Sequence, residues 1–424
     1  MGRDITKRHS ALFEKRLRSG FSFLRDIYQY GKARELSSFL VWELRHRLGL
    51  FPANQYLSFL NDDAMALDGA AVGDEAFAER LGRFLQREEL SASPCAADWK
   101  VLFLNNGELY GSLARDDRSL FRSNGRERPL GPLHTFPERI KSIFVTSRQA
   151  LFVCVPGAVY RSADRGGSFH KCLTLGSSAS FFRHNNGMTE TPDKTLVLGE
   201  YGNVWDDTRW RQLAYVYFST DDGVSWERSD FLIRQGTNKH VHLVKYSKLL
   251  SQLFVADGDN KKKLWMSAGL DSPDLEALKT WTPVNRFHIQ MGGYTSVVET
   301  DDQVLFGSDY QGGTNFLVST RDGRTYDKRV VPDPYRRSPI DNMVQRQSKR
   351  GTEIWANLPY STAGSKCLLM VTVDGGNHWR KVIEYHRATH KVWLISSSTG
   401  IPDRLYLSVE DLRNGDRAVY EIHD

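Results

Sequence analysis

The sequence predicts a mainly β repeat protein behind a helical N-terminal region. Three observations predict it. At Trp99 the chain changes from helix-periodic apolar spacing to short β-branched and aromatic runs separated by Gly, Asp and Asn. One eight-residue turn recurs along the rest of the chain, with successive copies 57, 100 and 53 residues apart. No apolar run approaches the roughly 20 residues that a bilayer-spanning helix needs.

The 424 residues allow two or three ordinary domains, or one large repeat domain with an appendage. With 40% apolar and 12% aromatic residues, the chain can bury a large core, which excludes a disordered protein. The net charge of +6 is uneven: residues 1–50 carry +6, residues 61–98 carry −6, and residues 99–424 hold 43 positive against 37 negative charges. The body has no dense Lys/Arg run, so a nucleic-acid partner is not expected. Near the start, Phe39-Leu40-Val41-Trp42 is flanked by charge, and no signal peptide is expected. A cytoplasmic location follows, with export by a non-classical route as the alternative. Cys95, Cys154, Cys172 and Cys367 show neither CxxC nor zinc-like spacing, so they read as small buried hydrophobes. No metal and no cofactor are expected.

Residues 1–98 are expected to be helical and residues 99–424 to form the β body. Leu36, Phe39, Leu40, Leu44 and Leu48 recur at the spacing of one helix face, and Gly49 follows as a C-cap. Phe77, Leu81, Phe84 and Leu85 suggest a second helix with Asp74 as N-cap. Residues 5–30 read as helical, broken at Gly20, and Ser91–Pro94 reads as a linker. Trp42 with Arg45 and Arg47 is compatible with a peripheral membrane or protein contact through residues 1–50; the plainer expectation is packing on the β body and pairing with the acidic 61–98 segment.

The expected strands include Val101–Leu104, Ile143–Thr146, Ala150–Val155, Thr195–Leu198, Leu213–Phe218, Gln252–Ala256, Ser296–Glu299, Gln303–Phe306, Phe316–Ser319, Leu368–Val373, Lys391–Ile395 and Leu405–Val409. The recurring turn runs from Ser162 to Phe169, from Ser219 to Trp226 and from Thr372 to Trp379. Asp164, Asp221 and Asp374 stand at its third position. A weaker copy starts at Ser319 and puts Arg321 there. Leu264–Ser267 leading to Trp281 fits a degenerate copy, with a helical insertion at Ser272–Leu278. The Asp can bond backbone N–H groups of its own turn, the Gly supplies positive φ, and the final aromatic anchors the turn. This makes the turn a structural staple rather than an active site.

These residues resemble the Asp-box, or BNR repeat, of sialidase-like β-propellers. The resemblance covers roughly residues 99–424 and implies a six- or seven-bladed propeller, with seven favoured. The blades fall near 99–137, 138–175, 180–233, 240–285, 292–333, 340–384 and 389–424. Only three strands are evident in the last, and Trp99–Leu104 is a candidate for its fourth; that pairing would leave six blades.

In a propeller the Asp boxes and the first-to-second strand loops share one face. The second-to-third loops and the connections between blades lie on the other, where ligands converge. This sorting gathers the candidate site residues. Glu200-Tyr201 and Asp309-Tyr310 are acidic–Tyr pairs in equivalent loops, suited to acid–base or nucleophilic chemistry or to binding sugar hydroxyls, and His184 joins them as a catalytic candidate. Arg183, Asn185, Asn186, His240, His242, Asp257 and Tyr294 are expected to bind substrate. His240 and His242 share a strand face, which suits a metal or plain packing. The sialidase resemblance implies three arginines around a carboxylate. Arg139-Ile140-Lys141 matches the family's Arg-Ile-Pro triplet except for its Pro, and Arg183, Arg336 and Arg337 are further cations. The expected activity is glycosidic cleavage in an acidic or complex bacterial polysaccharide, by hydrolysis or elimination. The alternative is a non-catalytic propeller that binds a glycan or protein partner as a scaffold or assembly factor.

Overall fold

The computed structural model describes residues 33–67, 75–86, 89–95, 99–123, 131–206, 211–237, 239–258, 263–267, 280–284, 293–310, 313–360, 365–397 and 400–424, with isolated positions between 21 and 28 and at 72. The expected helix at 5–30 lies outside the described residues except at Phe21, Leu24, Arg25, Ile27 and Tyr28, which are helical; the Asp74 cap, the Ser272–Leu278 insertion and the Trp42 side chain lie outside them altogether.

The β runs fold into seven sheets, and the protein is a seven-bladed β-propeller. Blade 1 starts at inner strand Trp99–Asn105, blade 2 at Ser142–Val145, blade 3 at Met188–Glu190 and blade 4 at Val241–Ser247. Blades 5, 6 and 7 start at Gly293–Glu299, Asn342–Ser348 and His390–Leu394. Each meanders outward through antiparallel neighbours, in keeping with the short strands and tight turns of the sequence, and in blade 6 Ser58–Phe59 and Met65–Ala66, from the region expected to be helical, add in parallel to the outer strand. The core lies between the blades. One cluster joins Ile143 and Val153 of blade 2 to Phe103 and Leu120 of blade 1. Another joins Trp99 and Phe121 of blade 1 to Tyr406 and Val419 of blade 7. Both faces of each sheet are thereby covered, which explains strands such as Leu151–Val155 that are buried at every position.

Ring closure corrects two sequence expectations. Ser91–Pro94 is not a linker but the outer strand of blade 7, antiparallel to Arg417–His423 with Ser91 opposite His423 and Pro94 opposite Tyr420. Trp99–Leu104 does not complete that blade; it begins blade 1, and Ser396–Ser397 pairs with it in parallel. Ser91–Pro94 occupies an outer edge, where a proline's missing N–H is tolerated. The N-terminal stretch thus closes the ring and leaves no need for a six-bladed solution.

The recurring turns share one hydrogen-bond pattern. The Asp164 carboxylate accepts from Ser162 Oγ and from the backbone N and Oγ of Ser168. Asp221 does the same with Ser219 and Ser225, and Asp374 with Thr372 and His378. The side-chain bond from Ser162, followed by those from Ser168, holds the Asp164 carboxyl well below the usual range. The fourth copy needs a correction: Asp322, not the position of Arg321, accepts from Thr320 Oγ1 and from the Arg324 and Thr325 backbone N–H groups. The Thr320 turn is one residue shorter than the others. In the turn of blade 3, Gly223 has φ +85°, and a Cβ there would stand 2.3 Å from the Phe152 ring.

Among the described residues, two helices of more than ten residues flank the ring. The helix α1 (Ala33–Arg47) ends at Gly49, which has φ +63°. Its attachment differs from the sequence expectation. Leu40, Leu44 and Leu48 are exposed, while Glu43 is buried against Arg336 and Arg337 and His46 meets Asp333 at 2.8 Å. A desolvated ion pair thus decides which side of α1 faces the propeller, and the apolar stripe is left open. The helix α2 (Glu75–Leu85) behaves as its periodicity predicts: Phe77, Leu81 and Leu85 are buried, and Phe77 stacks on Tyr420 with ring centroids 4.9 Å apart. Among the described residues no helix is long and apolar enough to cross a membrane.

Candidate active site

Arg183-His184-Asn185-Asn186-Gly187 forms a turn that enters blade 3, closed by a bond from the Gly187 N–H to the Arg183 carbonyl. This turn reaches far around the ring. Arg183 Nη2 donates to Asp341 Oδ1 at 2.7 Å, at the start of blade 6. The His184 carbonyl accepts from Ser396 Oγ, beyond the inner strand of blade 7, at 3.2 Å. The turn therefore ties blades 3, 6 and 7 together at the axis. Asn185 lies within it with both amide atoms buried and unbonded among the described residues.

Next to this turn, Tyr201 and Phe181 exchange backbone bonds, and their rings lie 5.1 Å apart. The Tyr201 ring rests on His240 with centroids 4.0 Å apart, and Arg183 stands 5.7 Å from its centre. Asn203 Nδ2 donates to the Tyr201 hydroxyl oxygen at 3.1 Å. The two histidines form a string. His240 Nδ1 is 2.6 Å from the Gly202 carbonyl, which can only accept, so that nitrogen carries the proton. In a neutral ring Nε2 is then an acceptor, and His242 Nε2, 3.0 Å away, donates to it. His242 Nδ1 is left facing Asp309 Oδ2 at 3.5 Å.

Close approach of the two rings depends on Gly258. A Cβ there would lie 2.4 Å from His240 Cδ2 and 2.6 Å from His242 Cδ2. An Asp-Gly pair that reads as an ordinary turn is therefore also the seat of the histidine pair.

The charges reinforce one another. Burial opposes ionisation of Asp341, but Arg183, His184 and His242 hold its carboxyl below the usual range. Burial would lower the Arg183 pKa, yet Asp341 and Tyr201 hold it above the ordinary value. Burial and the neighbouring Arg183 push His184 down to about 4, so its imidazole is neutral at physiological pH.

The structure thus brings together Arg183, His184, Tyr201, His240, His242 and Asp309 of the expected residues, with Asn185 and Asn186 in the same turn. The others sit apart. Glu200 points the opposite way from Tyr201 along the chain. It is fully buried, accepting from the Tyr217 hydroxyl at 2.6 Å and the Gly176 N–H at 3.0 Å. Asp257 is enclosed by Trp265 Nε1, Thr237 Oγ1 and the Lys263 N–H, and burial pushes its pKa up. Tyr294 packs on Phe306 in the core with a hydroxyl pKa raised by burial. Tyr310 is buried, and Asn315 bonds both its N–H and its carbonyl. Asp341 is the site residue that sequence reasoning left out of the candidate set. Its signal was its place at the start of blade 6, equivalent to His240 in blade 4.

No protein-family model matches the chain, and no curated protein matches it by sequence. Many solved structures share its architecture, two of them lyases. One is a catalytically inactive histidine-to-alanine variant of virginiamycin B lyase from Staphylococcus aureus with quinupristin. It is 13% identical, covers 79% of this chain and 99% of its own, and has a TM-score of 0.51. The other is a streptogramin B lyase, 11% identical, covering 79% of this chain and 98% of its own, with a TM-score of 0.50. At such identity the likeness is one of fold.

A hollow of about 420 Å³ lined by Leu104, Asn106, Glu108, Pro402 and Arg404 opens between blades 1 and 7. It belongs to the face of the first-to-second strand loops and contains none of the site residues. Among the described residues, no group of three or more His, Cys, Asp or Glu side chains could hold a metal.

Proposed function

We propose that this chain is a carbohydrate-active propeller of the Asp-box, sialidase-like type, and that it cleaves an acidic polysaccharide by elimination. The observation that carries the reading is the string Tyr201–His240–His242–Asp309 beside the Arg183–Asp341 pair and a neutral His184. Elimination next to a uronate needs a cation on the carboxylate, a base for the adjacent C–H and an acid for the leaving oxygen. Arg183 has guanidinium donors beyond the one that Asp341 takes. His184 is the base: it removes the proton, and the electron pair forms the C=C bond as the C–O bond breaks. Tyr201 gives its hydroxyl proton to the leaving oxygen, and the His240–His242 string holds its ring in place.

Hydrolysis by a carboxyl pair fits less well. An acid catalyst needs a raised pKa, and the pKa of Asp341 is held low. The test is a panel of acidic glycans assayed for unsaturated products and for new reducing ends, with His184→Ala and Tyr201→Phe beside the natural chain. Unsaturated ends that vanish in both variants are expected. Reducing ends without unsaturation would establish hydrolysis instead, and no product from any glycan would leave binding alone.

The binding alternative has its own support. The exposed Leu40, Val41, Leu44 and Leu48 give α1 an apolar surface suited to a protein partner or a membrane surface, as in a scaffold or assembly factor. A cytoplasmic site of action belongs to this proposal.

A further inference from the structure

Three lysines stand at the same level of three consecutive inner strands. Lys391 is the second residue of the inner strand of blade 7, Lys100 is the second of blade 1, and Lys141 immediately precedes that of blade 2. None of the three has an ion-pair partner among the described residues. Lys141 Nζ lies 5.0 Å from the centre of the Phe181 ring, and Lys391 Nζ lies 4.6 Å from that of Trp393. Phe181 in turn touches Tyr201, so an aromatic wall runs from Lys141 to the candidate active site.

The local charge does not balance. Arg183 is matched by Asp341 and Arg417 by Glu410 at 2.7 Å. That leaves the ammonium groups of Lys100 and Lys141 with the carboxylate of Asp117, while Lys391 shares with Arg417 the carboxylate of Glu410, which lies opposite it on the next strand. Burial, Arg417, Lys391 and Lys141 all depress the Lys100 ammonium pKa, and both Lys391 and Lys100 act on His184. The cluster therefore adjoins the turn that carries the proposed base. Like charges that outnumber their counterions are costly unless an anion arrives to neutralise them.

We infer that Lys100, Lys141 and Lys391 form an anion subsite that holds a second acidic group of a glycan chain whose neighbouring sugar occupies the Arg183–Tyr201 site. This rests on the acidic-glycan reading above, but it makes a separate claim about binding. A carboxylate and a sulfate share the chemistry that would be recognised.

The test is equilibrium binding of fluorescently labelled polygalacturonate, dextran sulfate and neutral dextran of matched length to the full chain. The variants are Lys100→Gln/Lys391→Gln, the same pair with Lys141→Gln, and Lys100→Arg/Lys391→Arg. The natural chain is expected to bind at least one anionic glycan more than tenfold tighter than dextran. Binding should weaken with salt. The triple Gln variant should lose at least tenfold and most of the salt dependence, and the Arg variant should recover it. Unchanged affinity in the triple variant, or anionic glycans binding no tighter than dextran, overturns the subsite. Turnover is read separately. Lysine-dependent binding without product supports the subsite while overturning elimination; product with lysine-independent binding does the reverse.

Discussion

Arg183 and Asp341 stand 158 positions apart in the chain and meet at 2.7 Å, joining the turn before blade 3 to the first turn of blade 6. The pair is partly buried, with side-chain exposures of 14% and 29%. Removing the cation by Arg183→Ala leaves Asp341 among burying neighbours without its main partner. The expected loss is about 1–3 kcal/mol, below the cost of breaking a fully buried pair because solvent reaches Asp341. Urea unfolding of both single variants and the double variant measures the coupling, and additive effects would show that the pair contributes nothing.

His184 makes stability depend on pH in a defined window. Its folded pKa of about 4 lies below its ordinary value of 6.5, so the unfolded chain takes up the proton first. Stability from this group is complete above about pH 6.5 and is lost as pH falls through about 4. Urea midpoints measured between pH 8 and pH 4 should fall across that window, and His184→Asn should flatten the decline. An equally steep decline in the variant would place the titration elsewhere.

Glu200 and Gly258 separate a structural role from a catalytic one. Glu200 is buried with Tyr217, so Glu200→Gln is expected to cost about 1–2 kcal/mol and to leave glycan affinity unchanged. A drop in turnover beyond a hundredfold with stability intact would return Glu200 to the chemistry. Gly258→Ala should act in the opposite sense, because its Cβ would push into His240 and His242. Turnover should fall at least tenfold and the histidine NMR signals should shift; unaltered signals would contradict the close packing.

The blade-3 turn offers a paired comparison. Gly223→Ala meets the Phe152 ring in a left-handed backbone and is expected to cost roughly 2 kcal/mol or more. Gly351 has φ +106°, but a methyl added there would have no atom within 4 Å, so Gly351→Ala should carry backbone strain alone, about 1 kcal/mol. Thermal unfolding of the two variants checks the order.

Much of the fold was legible in the chain. The short apolar runs named the strands, and Asp164, Asp221 and Asp374 with their glycines and aromatics named the turns, because such turns are stabilised within eight residues. The Arg321 copy was misaligned, since a turn shortened by one residue keeps its chemistry while losing its spacing. The site was half legible. Position in the repeat collected Arg183, Tyr201, His240, His242 and Asp309 on one face. It also collected Glu200, Asp257, Tyr294 and Tyr310, whose side chains turn into the body.

The sequence by itself determined a β repeat body with Asp-stapled turns and the register of polar residues at strand ends. These depend on local alternation and local hydrogen bonds. The tertiary structure decided that Ser91–Pro94 closes the ring, that α1 docks through Glu43 rather than its leucines, and that Arg183 finds Asp341. Those outcomes depend on which distant groups arrive together once seven blades close, and on how strongly burial then penalises each charge. The opposed charges of residues 1–50 and 61–98 did not foretell the docking of α1; its buried carboxylate went to Arg336, 293 positions away.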